Sequence, residues 1–354
     1  MPDWTKSMEQ TFEFYEVDPN TWADMRQITE VTACVVAYDS TVETLGSISI
    51  DCTEDLTDKY VRPYLITVQN NVIEKFPLGA YLCQTPKRSF DGKRSQTTQD
   101  GYTPLIELKE KTMPIGYAIT KNTNILDIAG SLTEESVRAP VVKGTDTHTL
   151  DADFVSTTTD TRLLFLRDLL SNAEFHFDLD DLGQILFAPN QQITSMQPVW
   201  TFSDDNSSIL YPNIEVSRDL FGVPNVVEVL YSPSDTTTPL YSRVVNDSED
   251  SIASTKSRGR EIIYRDTNPS VVASLTQQQL NEYAKNLLKT LSSVEFTLTY
   301  RHGYCPVKVG DCVLLNYERA GIFNTKAVIT RQSMSLTAGL QVEETAVYTQ
   351  QLWG

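Results

Sequence analysis

The chain has 354 residues, 40% of them hydrophobic and 21% charged. That is a globular composition with room for two or three domains. Its 47 acidic residues against 29 basic ones leave a net charge of −18, which disfavours broad binding to a phosphate backbone.

Taken in order, the chain opens as β structure. Phe12, Phe14 and Tyr15 mark a short aromatic strand that ends at the turn Asp18-Pro19-Asn20. Four further strands are predicted at Val31–Tyr38, Leu45–Cys52, Tyr60–Gln69 and Phe76–Gln84, rich in Val, Ile, Tyr and Thr and punctuated by polar pairs. Asp91-Gly92 reads as a hairpin tip before a polar run, and Leu105–Lys111 as a short helix. Residues 1–112 are thus expected to form a small β-barrel or sandwich.

Residues 113–198 alternate types. A helix is predicted over Asn124–Val137, with Ile125, Ile128, Ala129 and Leu132 inward. Asp160 is the expected cap of a second helix whose inner line is Leu163, Leu166, Leu170 and Ala173. Glu174–Leu179 and Gln184–Ala188 read as a hairpin through Asp180-Asp181-Leu182-Gly183. Helices followed by a hairpin predict a small α+β domain.

Residues 199–354 return to β. Trp200–Pro212 reads as a polar loop carrying Asp204, Asp205 and Asn206, followed by strands at Asn213–Arg218, Asn225–Tyr231, Leu240–Asn246 and Glu261–Arg265. Ser248–Arg260 is expected to be a mobile loop. Its Lys256, Arg258 and Arg260 are the candidate contacts for an acidic partner, against the plainer reading of solvated charge. Beyond it, Leu275 to Tyr317 is a helix that feeds two strands. Thr276 and Gln279 stand in capping-box relation, and Leu280, Tyr283, Ala284, Leu287, Leu288 and Leu291 make one apolar stripe. The period then drops to two: Val294, Phe296, Leu298 and Tyr300 alternate with polar residues. After Pro306, Gly310-Asp311 makes a turn into another strand, and Val342–Leu352 is the last. A second small barrel with the helix packed beside its strands is the expectation.

A search for chemistry returns mostly structural readings. The cysteines, Cys34, Cys52, Cys83, Cys305 and Cys312, are odd in number and lack metal spacing, which argues against disulfides and zinc. They are expected to be buried, in a protein made in a reducing cytoplasm. Met1-Pro2-Asp3-Trp4 lacks the zones of a signal peptide, and no stretch approaches the ~20 apolar residues of a membrane span. His148, His176 and His302 form no pair at metal spacing, and structural roles are expected. Asp178, Asp180 and Asp181 before Gly183 resemble the start of a calcium loop. Leu182 and Pro189 stand where ligands should be, so a hairpin turn is the better reading. Asp204 and Asp205 offer paired carboxylates, but adjacency in sequence does not set the ~5–10 Å separation that glycoside hydrolysis requires. G-x-S-x-G, H-E-x-x-H, P-loop and G-x-G-x-x-G motifs are absent. No catalytic residue, metal or cofactor is expected.

The layout resembles the central hub protein of phage tails, the fold shared with contractile baseplate hubs. The resemblance rests on Trp200-Thr201-Phe202-Ser203-Asp204-Asp205-Asn206 and its continuation to Pro212, on Pro224-Asn225-Val226-Val227-Glu228-Val229, and on Arg258-Gly259-Arg260-Glu261. Gly303-Tyr304-Cys305-Pro306-Val307-Lys308-Val309-Gly310-Asp311-Cys312-Val313, the opening Phe12–Asp18 and Phe76-Pro77-Leu78-Gly79 fit the same pattern. It implies a structural virion protein of the tail tip, without enzymatic activity. It further implies a homotrimeric ring in which two barrels per subunit adapt to a six-fold tail tube around a DNA exit channel. Partners would be sister copies, tail tube proteins and the tape measure protein. An acidic channel wall would let DNA pass without adhering. The chain ends at Gly354 just after the last predicted strand, so a spike, lysin or fibre is expected on a separate chain. The two barrels share an order of strands but no evident residue identity. Two rival readings are a cell-wall hydrolase using the Asp178–Asp181 or Asp204–Asp205 carboxylates, and a receptor- or carbohydrate-binding module using Trp22, Trp200 or Trp353.

Overall fold

A computed structural model describes residues 1–90, 92–93, 95–232, 239–267, 269 and 276–353. Asp91 of the expected hairpin tip, Leu275 and the terminal Gly354 lie outside the described residues. The chain is mainly β, as its alternating runs predict, and divides into two compact units. Unit 1 is Met1–Ile214 with Thr299–Ala346, and unit 2 is Glu215–Leu298 with Val347–Gly354.

Unit 1 is organised on a long sheet. From Gln341–Gln351 onward its order is Gln341–Gln351, Ile322–Ser335, Ala33–Asp39, Gly46–Cys52, Ser95–Tyr102, Tyr81–Phe90, Tyr60–Gln69, Glu9–Val17 and Asp24–Ile28. Strands from the two ends of the sequence are therefore hydrogen-bonded neighbours, with Met334 opposite Val36 and Arg331 opposite Asp39. The order does not close into a ring among the described residues. Gly46–Cys52 shows why strands form here: Gly46, Ile48, Ile50 and Cys52 are buried and the residues between them are not. All five cysteines are buried and free.

Several elements differ from expectation, each for a local reason. The predicted strand Phe76–Gln84 is two strands, Val72–Pro77 and Tyr81–Phe90. The chain breaks between them, where Gly79 takes φ +83° and its N–H donates to Asp181 O. Asp24–Ile28 and Ser95–Tyr102 are strands that too few apolar residues announce. Ser95–Tyr102 is paired on both edges, and its buried Gln99 amide accepts from Leu56 N and donates to Glu54 O. Trp200–Ser203 is not loop but a strand, paired parallel with Cys312–Tyr317. Its Phe202 is buried against Tyr300, with ring centroids 5.4 Å apart.

The helices of unit 1 are Ile106–Glu110, Ile125–Glu134 and Arg162–Ser171. Asn124 caps the second by accepting from Asp127 N. The third is capped by Thr161, not by Asp160, whose carboxylate is taken by the Thr157 backbone and hydroxyl. Leu163, Leu166 and Leu170 form its buried line as predicted, and Ala173, expected in the same line, is buried just past the helix end. They share one core with Trp22, Tyr60, Leu82 and Leu105, so helices and strands of unit 1 bury a common apolar interior. The hairpin Phe175–Leu179 and Ile185–Pro189, joined in parallel by Val141–Val142, borders it.

Unit 2 carries a three-stranded sheet ordered Leu240–Val245, Val226–Tyr231, Ile263–Asp266. The helix Gln277–Leu291 starts at the predicted capping box, Thr276 with Gln279. Its buried Leu280, Ala284 and Leu288 pack on Val227 and Val229 of this sheet. The stripe is the predicted one, and the strands that cover it are among those predicted for 199–354. The strand that follows sends Val294 and Phe296 to a separate cluster with Ala253 and Leu352. No helix among the described residues is long and apolar enough to cross a membrane.

Candidate functional site

Polar residues at ordinary-looking turns turn out to be structural fasteners. The acidic turn of the hairpin is the clearest case. Asp180 Oδ1 accepts from Leu182 N and Gln184 N at 2.9 and 2.7 Å, closing the turn on itself, and Asp178 Oδ1 accepts from Leu179 N. The outer backbone is held by the sheet of unit 1. Gly79 N donates to Asp181 O at 2.8 Å, and Trp22 Nε1 and Arg62 Nη2 donate to Leu182 O at 3.0 and 3.1 Å. Arg62 is itself buried, with Nη1 2.7 Å from Asp24 Oδ1. A Cβ on Gly183 would stand 2.6 Å from that of Ala80. Burial pushes the Asp181 carboxyl above its ordinary value, while Lys308 opposes the shift. No group of three or more His, Cys, Asp or Glu among the described residues is placed to hold a metal ion.

Asp204 and Asp205 are spoken for separately. Arg319 clasps Asp204, with Nε donating to Oδ2 at 2.6 Å, and Asp205 accepts from the Ser207 backbone and hydroxyl. These bonds pull both carboxyls below the ordinary range, Asp204 through Arg319 and Asp205 through Ser207. A general acid needs the opposite shift.

The basic trio lies in unit 2 on a hydrogen-bonded segment with a short helix, Thr255–Arg258, capped by Ser254. Lys256 Nζ is 3.2 Å from Glu249, and Arg258 Nη1 donates to Val223 O at 3.0 Å. Arg260 is exposed, with its backbone carbonyl accepting from Asn225 Nδ2. The three are brought to one segment but do not converge on a common point. A groove of ≈ 420 Å³ in the same unit runs past Ser217, Arg218, Asp219, Ser293 and Glu295.

Among the tryptophans, Trp4 and Trp22 are buried, and Trp353 packs on the core of the long helix. His148 is exposed and paired with Asp146, and the exposed His176 meets Asn190 Oδ1 at 2.7 Å. His302 is different. It is fully buried, as are Tyr300, Gln332 and Glu344 around it. Tyr300 Oη donates to Glu344 Oε2 at 2.6 Å, and Gln332 Nε2 donates to Glu344 Oε1 and Val307 O, both at 2.8 Å. His302 Nε2 lies 3.2 Å from Glu344 Oε1, off the line of a hydrogen bond. Burial, then the neighbouring Glu344 charge, holds the Tyr300 phenol and the Cys305 thiol above their ordinary values. The alternation that predicts the strand also carries the signal for this cluster. His302 continues the buried phase of Leu298 and Tyr300, and Glu344 sits between Val342 and Ala346.

Unit 1 also presents free sheet edges. Among the described residues, Asp24–Ile28 and Val72–Pro77 each have one strand neighbour. Met25 is 61% exposed there, and Val72 and Ile73 are 56% and 70% exposed. Unpaired edge backbone with apolar side chains is what a monomer ordinarily avoids.

No family model and no curated protein matches the sequence. Solved structures do match the fold. The tail protein from Neisseria meningitidis MC58 superposes with a TM-score of 0.61 at 14% identity, covering 97% of this chain and 98% of that one. The 43 kDa tail protein of prophage MuSo2 from Shewanella oneidensis gives 0.57 at 10% identity, over 96% and 98% of the two chains. The chain has the phage tail-protein fold. At these identities the likeness is one of architecture.

Proposed function

We propose that the chain is the central hub of a phage tail tip, a virion component that acts by presenting fixed surfaces to its neighbours and not by chemistry. The observation that carries this reading is the end-to-end match with tail proteins, in which 97% of this chain aligns with 98% of another. The free edges of Asp24–Ile28 and Val72–Pro77 support it, since such edges call for partners. The engagement of Asp180, Asp204 and Asp205 in turns and an ion pair counts against the hydrolase alternative.

In this reading three copies close a ring. Bodies built from 1–112 and 199–354 repeat around it to meet a six-fold tube, and 113–198 forms an α+β insert between them. Tail tube and tape measure proteins lie above, and separate spike or fibre chains below. The acidic excess, −18 over the chain, faces the bore so that DNA passes without adhering. Lys256, Arg258 and Arg260 are the contact candidates for an acidic neighbour.

Light scattering on the purified chain with its tail partners, and electron microscopy of particles, test this. The expected result is a three-fold ring at the tail tip. A single asymmetric copy in the particle, or a bore lined by basic residues, refutes it. A zymogram comparing the wild type with Asp204→Asn/Asp205→Asn tests the enzyme alternative, and lysis lost in the variant would replace this proposal.

A further inference from the structure

We infer that the hairpin formed by Tyr81–Phe90 and Ser95–Tyr102 is a basic arm that docks on the acidic surface of a second copy of this chain. Its sequence stands out from the background. Lys87, Arg88, Lys93 and Arg94 fall within eight positions, and Asp91 is the one acid among them. With these residues set aside, the remainder of the chain is more negative than the −18 of the whole.

The base of the arm is anchored and its outer part is bare. Tyr81, Leu82 and Cys83 are buried, as are Thr97 and Gln99 on the returning strand. The register shifts between Gln84 and Pro86, where Thr85 takes φ +46°. Beyond this bulge every residue from Thr85 to Phe90 is exposed. Pairing nevertheless runs to the end of the hairpin, with Lys87 opposite Thr98 and Phe90 opposite Ser95. Gln96 Nε2 also donates to Asp51 Oδ2 at 3.2 Å. The segment is a formed arm, not a loose loop.

Three features of the arm point to a partner and to its chemistry. Tyr81–Phe90 pairs with Tyr60–Gln69 only at Tyr81 and Leu82, so among the described residues no strand lies beside its edge from Gln84 outward. Unpaired edge backbone is matched by another polypeptide and not by a phosphate or a lipid. Phe90 is 70% exposed, an apolar ring that a protein surface would cover. Among the described residues no ion pair engages Lys87 or Arg88, and Arg88 Nε donates instead to the Ser95 hydroxyl at 2.8 Å. By contrast, Arg26, Lys75, Arg319 and Arg331 are each held by an acid. Lysine at a free edge commonly serves to keep other strands away. That duty accounts for Lys87 and Arg88, but not for Lys93 beyond the strand or for the bare Phe90. The acidic polypeptide at hand is the chain itself. At physiological ionic strength charges more than about 8 Å apart are screened, so two acidic bodies repel weakly at a distance while a lysine touching a carboxylate is still attracted.

That copies meet at all is the hub reading, on which this inference rests; the arm is what one copy offers the next. Sedimentation equilibrium of the full chain in about 0.15 M salt compares the wild type with Lys87→Glu/Arg88→Glu. The charge-matched control is Lys285→Glu/Lys289→Glu, on the exposed side of the long helix. The association constant is expected to fall at least about tenfold in the arm variant and to stay within about twofold of the wild type in the control. Equal weakening in both variants, or none in the arm variant, overturns the inference and leaves the ring intact. Arm-dependent assembly with other than three copies sustains it and refutes the ring, whereas a wild type that does not associate refutes both. In parallel, Phe90→benzoylphenylalanine is photolysed in a mixture of isotope-labelled and unlabelled chains. Links between the two kinds of copy, landing on acid-bearing segments, are expected, and links confined to one copy count against the arm. A fluorescent DNA duplex and phosphatidylglycerol vesicles are offered to the same variants, and binding lost only in the arm variant would assign the arm to phosphate instead. Should that variant misfold, the crosslink decides.

Discussion

Gly183→Ala is the sharpest test of how the acidic turn is held. Gly183 has φ +77°, a conformation that costs an L-residue roughly 1–2 kcal/mol. Its new Cβ would also stand 2.6 Å from Ala80 Cβ and 2.8 Å from Ala80 N, neither of which can swing away as a long side chain could. Overpacking of that kind costs about 1–3 kcal/mol, so the total is roughly 2–5 kcal/mol. Gly339 isolates the conformational part, having φ +73° and nothing within 4 Å of where a Cβ would stand. Gly339→Ala is therefore expected to cost only about 1–2 kcal/mol. The assay is urea denaturation of both variants beside the wild type, followed by circular dichroism and by the fluorescence of Trp22, whose Nε1 bonds Leu182 O. Gly183→Ala should lower the midpoint clearly more than Gly339→Ala and shift the tryptophan signal before the main transition. Equal midpoints for the two variants would refute the close approach to Ala80, and with it the docked turn.

Three further outcomes are expected. Thr276→Ala removes the side-chain acceptor of Gln279 N at the start of the long helix and should cost about 1 kcal/mol, read as reduced thermal stability of unit 2. Leu288→Ala empties a fully buried position against the three-stranded sheet and should cost about 2–5 kcal/mol, read by hydrogen exchange across Val226–Tyr231. Asp181→Asn tests the carboxyl at the turn, whose folded value is raised by desolvation. Such a group binds more protons folded than unfolded, so its penalty is absent below the ordinary Asp value and grows as pH rises through the folded value. The variant should melt above the wild type at pH 7, with an advantage that shrinks on acidification. A constant difference across pH would contradict the raised value.

The β character, the long helix and its cap are legible in the sequence because each rests on local chemistry: period, capping pair, turn residues. Tyr60–Gln69 has its predicted bounds for the same reason. What stays hidden depends on distant partners. Ser95–Tyr102 carries Thr and Gln inward because Leu56 and Glu54 wait for an amide, which no window of its own sequence reveals. Trp200–Ser203 is short and polar at its end, and becomes a strand only because Cys312–Tyr317 lies beside it. The helix Gln277–Leu291 shows its buried face but not its partner, since amphipathicity is silent about what covers it. The Asp180–Gly183 run is a turn, as its residue types predict, yet its clamp of Gly79, Trp22 and Arg62 comes from far upstream. Scarcity of histidine alone points His302 to a structural role. Its phase in the strand places it inside, and the partner Glu344 stands in the matching phase.

The buried cysteines have a practical consequence. All five sit in unit 1 and none in unit 2, and burial raises the thiols of Cys34, Cys52, Cys83, Cys305 and Cys312 together. A thiol-reactive dye should therefore ignore the native chain and mark only molecules whose large sheet has come apart. Melting confined to the smaller unit would leave no tag. The chain carries its own footprinting reagent sites, already sorted by unit, without a single engineered residue.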